Sequence, residues 1–274
     1  MRGILFYDKA GAKRNAWFIE RMISVAKELG SELELVVTDN VDTALSHCTP
    51  TPDYAIVRTI SPTLSHALEG LGIRIFNNAK TAKIANDKYK TYLYAKERSI
   101  PVIETMSLEN GDAITSALTY PRVIKTVDGH GVSEVFLVKN TTECKEILAL
   151  HPNRHFISQE VCSEPGVDMR VYVLGGEPIA AVKRTSKTDF RSNFSLGGNA
   201  ELVTLCKEEE ALARQISTSL GADLIGIDFI RHNGCWVLNE IEDVVGTRML
   251  YSLTDVDAAK VYVEYIISKI RQGV

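Results

Sequence analysis

Long apolar runs are missing from this chain. No stretch approaches the roughly 20 residues that a helical membrane span needs, which excludes that class. The opening segment, MRGILFYDKAGAKRN, has a short apolar run and no small-residue cleavage pattern, so it does not read as a secretory signal. Cysteine is scarce and scattered: Cys48, Cys144, Cys162, Cys206 and Cys235 form no CxxC pair. That argues against a disulfide framework or a cysteine zinc site and fits a reducing compartment. No HExxH motif is present. Excess positive charge is also lacking, with 31 Lys and Arg against 35 Asp and Glu, a net charge of −4. A globally basic surface for nucleic acid is therefore excluded. The expectation is a cytoplasmic protein with neither a membrane nor a nucleic acid as partner.

What is there is ordinary globular material. Hydrophobic residues make up 45% of 274, enough to bury a core without metal or disulfide staples. At about 150 residues per domain the length suggests two structural units. Apolar runs at 3–7, 33–38, 54–58 and 73–76 alternate with helical patterns at 16–29, 41–46 and 63–70, separated early on by a polar loop. Alternation of this kind predicts parallel βαβ units, an open α/β layer over the first 78 residues. The pattern changes at Asn77-Asn78, and a Lys-rich helix is expected over 81–98, ending before Ile100-Pro101.

From residue 122 onward strands dominate, at 122–125, 134–138, 156–161, 169–174, 179–184, 224–231 and 235–241, with helices at 142–149, 207–219 and 258–271. Gly175-Gly176 between two of these strands is a hairpin signal. This half reads as antiparallel-rich α+β.

Three constellations could do chemistry. In the first, Lys125 ends a short apolar strand and is followed by Gly129 and Gly131; glycines let backbone N–H groups approach an anion beside the ammonium. A plain glycine-containing hairpin is the other reading. The second holds Asp228, Glu240 and Glu242, carboxylates set within apolar strands, where a cation is needed to offset desolvation and repulsion. Magnesium is one such cation; a salt-bridge cluster using Arg191, Arg231 or Arg248 is the alternative. Glu240 and Glu242 share a face. A regular two-residue Asn233-Gly234 turn would aim Asp228 away from them. A shared site requires an odd loop or a bulge, most simply a His232-Asn233-Gly234 loop, placing Ile230, Trp236 and Leu238 on the carboxylate face and Ile227, Phe229, Val237 and Ile241 behind. The third gathers Arg170, Lys183, Arg184 and the 189–193 string DFRSN, whose arginine forks suit carboxylate or phosphate oxygens.

In order, the chain carries Asn86-Asp87-Lys88, the 121–125 string PRVIK, Gln159-Glu160, the 166–170 string GVDMR, DFRSN with Gly197-Gly198, Gly226-Ile227-Asp228 and the 239–242 string NEIE. This ordered set resembles the ATP-grasp carboxylate–amine ligases, specifically the RimK group that attaches glutamate to ribosomal-protein tails and coenzymes. The resemblance implies an ATP-grasp fold, α/β plus α+β, with an N-terminal open α/β domain (1–78), a central subdomain bearing a phosphate flap (79–158) and a C-terminal subdomain with the metal site (159–274).

It also implies roles. Lys88 and Lys125 match phosphate-contacting lysines, and Gly129 and Gly131 lie in the mobile flap. Glu160 and Val161 match the adenine hinge, Asp168 a ribose-side acid, and Arg191, Ser192 and Asn193 the nucleotide-side triplet. Asp228, Glu240 and Glu242 match ligands for magnesium, for which manganese can substitute. The implied reaction uses ATP to make an acyl phosphate that an amine attacks, with Lys125, Arg184 and Arg191 stabilising developing charge. Its partners are a small molecule or peptide with a carboxylate and an amine co-substrate, glutamate among them, and a homo-oligomer is compatible with it. The chain departs from the family at Glu242, where Asn is usual, at Val245 in place of Pro, and in a flap one residue short. A nucleotide-binding module without turnover is the alternative that Glu242 favours.

Overall fold

The computed structural model describes residues 1–108, 115, 118–129, 134–186 and 199–273. Four parallel strands, β1 (Arg2–Tyr7), β2 (Glu32–Val37), β3 (Tyr54–Val57) and β4 (Arg74–Phe76), form a sheet in the order β2-β1-β3-β4. Between them run α1 (Lys9–Arg14), α2 (Ala16–Glu28), α3 (Val41–Ser46) and α4 (Pro62–Gly70). The polar loop expected after β1 is helical instead. Asp8 caps it, accepting from the Gly11 N–H at 2.6 Å, which offsets the helix-disfavouring glycine.

The helix expected over 81–98 is two helices, α5 (Ala79–Ala85) and α6 (Lys88–Glu97). Local side-chain hydrogen bonds break it: Asn86 donates to the Ala82 carbonyl and Asp87 accepts from the Lys90 N–H as N-cap of α6. The break puts Lys88 at the first turn of a new helix, with its side chain only 10% exposed.

An antiparallel sheet, ordered β5-β8-β6-β7, follows: β5 (Thr105–Ser107), β6 (Arg122–Thr126), β7 (Val135–Val138) and β8 (Phe156–Glu160), with α7 (Thr141–Leu150) beside it. A second, ordered β11-β10-β9-β12-β13, holds β9 (Val167–Leu174), β10 (Glu177–Thr185), β11 (Asn199–Leu202), β12 (Leu224–His232) and β13 (Cys235–Glu242). Strands β5 and β11, too short and polar to show a period, were not legible beforehand. Helices α8 (Lys207–Leu220), α9 (Arg248–Leu253) and α10 (Ala258–Gln272) complete the chain. Ala258, Ala259, Tyr262, Val263, Ile266 and Ile267 recur at helical spacing and fill one core with Phe18 and Met22 of α2, Leu5 of β1 and Tyr172 of β9. The last helix thus welds the first sheet to the last.

The β12–β13 hairpin has the turn that local propensity selects. His232 pairs with Cys235, and Asn233 and Gly234 both have positive φ, 51° and 78°. The three-residue loop is not formed. The register shifts instead between Asp228 and Phe229: Phe229 opposes Leu238, while Asp228 opposes Glu240, leaving Asn239 as a bulge. Leu238 consequently joins Phe229 and Ile227 in the core behind the sheet, with Trp236 packed against that core. Val237 opposes Ile230, so the expected placements of Trp236, Leu238 and Val237 are reversed. Because nothing lies within 4 Å of a Cβ built on Gly234, Gly234→Ala should meet backbone strain alone. A loss of about 1–2 kcal/mol in urea unfolding is expected; no loss would mean the turn relaxes freely.

Candidate active site

The bulge decides the site. Asp228 and Glu240 are direct cross-strand partners, Gly226 opposes Glu242, and the three carboxylates therefore share one face of the sheet. They line a cavity of about 310 Å³ between the two antiparallel sheets. Into the same cavity come Lys88 from α6, Lys125 from β6, Glu160 and Val161 at the end of β8, Asp168 and Arg170 from β9 and Arg184 from β10. Gly129 is not in its wall, but its carbonyl accepts from the Lys88 ammonium. Gly131, Arg191, Ser192 and Asn193 lie outside the described residues.

Two residues outside the expected nucleotide and metal ligands complete the site. Asn239 is the bulged residue, and its Oδ1 accepts from Lys125 Nζ at 2.8 Å. Asn239 and its neighbour Glu240 both line the cavity. Arg170, visible as one of several arginines, is the centre of the charge network. Its Nε and Nη2 hold Asp228 Oδ1 and Oδ2 at 2.7 and 2.6 Å, and Nη2 also reaches Glu242 Oε1 at 2.6 Å. Arg184 holds both oxygens of Asp168, at 2.5 and 2.8 Å, and Asp228 Oδ2 at 3.0 Å. Lys88 meets Glu240 at 3.2 Å. A salt-bridge cluster thus forms on Arg170 and Arg184; of the arginines expected for one, Arg231 faces Glu164 and the ring of Trp236, and Arg191 lies outside the described residues.

Burial works against every charge here, and partners decide the outcome. Asp228 would be raised by burial, yet Arg170 and Arg184 hold it well below the usual carboxylate range. Burial lifts Glu242, opposed by Arg170 and aided by Asp228 and Glu240. For Lys125 burial wins, opposed by Glu240 and aided by Lys88, and its pKa is pulled down to about 8. Asp228, Glu240 and Glu242 are hard oxygen donors of the kind magnesium takes, so the set suits that ion in chemistry. Among the described residues they do not stand as a ready metal cage, since each is engaged by a lysine or arginine.

Two further buried acids set a pH dependence. Asp223, held by Arg74 at 2.9 Å and Tyr265 at 2.9 Å, and Asp243, beside Asn86 on the cavity wall, are each pushed up to about 6 by burial. A raised acid binds its proton more tightly folded than unfolded, so stability is lost as pH rises from about 4 through 6. The free protein should be more stable at pH 5 than at pH 7.5, by roughly 1 kcal/mol per group. Denaturation midpoints at the two pH values check this; a lower midpoint at pH 5 refutes it.

Comparison with known proteins identifies the family and the fold. The profile of the RimK-like ATP-grasp domain matches residues 85–266. A probable alpha-L-glutamate ligase of Haemophilus influenzae is 27% identical over 206 residues, 72% of this chain and 68% of that protein. N-acetylaspartylglutamate synthase A of Homo sapiens is 30% identical over 236 residues, 79% of this chain but only 60% of the synthase. The solved D-alanine–D-alanine ligase of Bacillus anthracis complexed with ATP superposes with a TM-score of 0.80 at 15% identity, over 100% of this chain and 98% of that one. The fold is therefore the ATP-grasp fold, and the chain belongs to the family of RimK-like ATP-grasp ligases.

Proposed function

We propose that the chain binds ATP in this cavity and uses it to join a carboxylate to an amine. The observation that supports this most is the convergence of Lys88 and Lys125 with Asp228, Glu240 and Glu242 on one cavity wall. A free carboxylate is a poor electrophile because its leaving group would be oxide. Transfer of the γ-phosphoryl to a carboxylate oxygen gives an acyl phosphate and ADP. The amine nitrogen then bonds to the acyl carbon, and the tetrahedral intermediate collapses by expelling inorganic phosphate. Magnesium on the three carboxylates would spread the charge of the transferring group.

The chain's own residues do the rest. Lys88 and Lys125 hold phosphate oxygens as charge-assisted donors. Arg184 faces the oxyanion that forms at the acyl carbon. Glu160 and Val161 border the base, Asp168 the ribose side, with Arg191, Ser192 and Asn193 completing the nucleotide contacts and Gly129 and Gly131 the covering loop. Glutamate is the first substrate to test, because the glutamate ligase and the synthase named above both carry it in their names. ADP release with magnesium should appear on adding glutamate together with an acidic acceptor, and product mass identifies the bond. ATP binding with no ADP release across amino acids and acidic peptides would leave the nucleotide-binding module instead.

A further inference from the structure

We infer that Arg170 is a resident counter-cation that occupies the carboxylate face of the free protein and makes divalent-ion binding conditional on nucleotide. This rests on the ATP-binding reading above and goes beyond it. Arg170 stands on β9 directly opposite Asp228 of β12, one strand away, whereas Glu242 belongs to β13, two strands away. The guanidinium reaches it across position 226, which is glycine. A Cβ there would clash with Val245 Cγ2 at 2.6 Å and make ordinary contact with Arg170 Cδ at 3.7 Å, so the arginine stem runs past this position at packing distance.

Both Asp228 oxygens are thereby taken, and so is one oxygen of Glu242. These are the oxygens a divalent ion would use. A cation must displace the arginine to gain them. Arg184 has a carboxylate of its own, Asp168, which it grips with two nitrogens. Among the described residues the side-chain hydrogen bonds of Arg170 all go to Asp228 and Glu242, so it is the group that must change partners. A planar fork that matches a carboxylate also matches phosphate. When nucleotide phosphates enter the cavity, Arg170 has somewhere to go, and the carboxylates are released to the metal arriving with them. Arg170 also supplies the charge that balances Glu242, the residue that stands where Asn is usual. A buried pair serving stability alone would not need all three members on the wall of the nucleotide cavity, where these are.

Manganese binding to the full chain, read by electron paramagnetic resonance with and without a non-hydrolysable ATP analogue, tests this. Wild type should bind manganese weakly alone and at least tenfold tighter with the analogue. Arg170→Gln should bind manganese alone at least tenfold tighter than wild type, with the nucleotide effect largely gone. Arg184→Gln should change the nucleotide-free affinity less than threefold, since Arg170 still covers Asp228. Should Arg170→Gln fail to fold, Arg170→Lys keeps the charge without the fork, and its nucleotide-free affinity should still rise severalfold. The inference is overturned if wild type shows the nucleotide effect while the foldable Arg170 variants bind manganese alone no tighter. If wild type binds neither the analogue nor manganese beside it, the ATP-binding reading itself falls and takes this inference with it.

Discussion

Lys125→Met is expected to weaken ATP binding by about ten- to a hundredfold while raising the melting temperature of the nucleotide-free protein at pH 7. The two effects have one cause. The ammonium sits in the cavity wall beside Asn239, and burial pulls its pKa down to about 8. Folding therefore disfavours the charged form, a cost of no more than about 3 kcal/mol that is fully present below pH 8 and fades as pH rises toward 10.5. Methionine keeps the apolar stem and removes that cost. It leaves the Asn239 oxygen without its donor, about 1 kcal/mol in return. The net gain of one or two kcal/mol corresponds to roughly 2–5 °C. Loss of a charge-assisted phosphate contact, on the order of 1.5–3 kcal/mol, accounts for the weaker binding. Calorimetry and thermal melts at pH 7 and pH 10 measure both. Equal ATP affinity in the two proteins would remove Lys125 from the phosphate site, and a melting difference that does not shrink at pH 10 would remove the burial argument.

The largest loss of stability is expected from Asn77→Ala. Asn77, 5% exposed, uses its full hydrogen-bonding capacity on backbone. Its Nδ2 donates to the carbonyls of Leu224 and Asp243 at 2.8 and 2.9 Å, and its Oδ1 accepts from the N–H groups of Asp223 and Leu224 at 2.7 and 3.0 Å. One side chain following β4 thus ties the first sheet to β12 and to the loop beyond β13, which carries Asp243 into the cavity wall. Alanine strands four backbone groups, each costing about 1–3 kcal/mol if it stays dry. Partial hydration keeps the total below the additive sum, so about 4–6 kcal/mol is expected in urea unfolding. Asn77→Asp should be no better, since it replaces the two donors with an oxygen facing two carbonyls. A loss below 1 kcal/mol would show that the staple is not what joins the sheets.

Much of this molecule is written locally. The alternation of apolar runs with helical patterns is enough for the parallel sheet, because side-chain period is a property of each segment. Gly175-Gly176 and Asn233-Gly234 specify their turns through φ angles that few other residues adopt, and both turns form between the paired ends of their strands. Lys88, Lys125 and the carboxylates were legible as an ordered set.

Their geometry was not. Whether Asp228 faces Glu240 or away from it depends on one extra residue in β13, and no local preference places that residue at Asn239. The bulge is set by long-range pairing. Asp228 is held in register with Arg170 on β9, while the Leu238 N–H donates to the Pro101 carbonyl at 2.7 Å, a partner more than a hundred positions away. The reach of Arg170 over Gly226, and the four bonds of Asn77, have the same origin. A strand's faces follow from its own sequence, but which groups meet across the sheet depends on the registers of all its neighbours at once, and only the folded chain decides those.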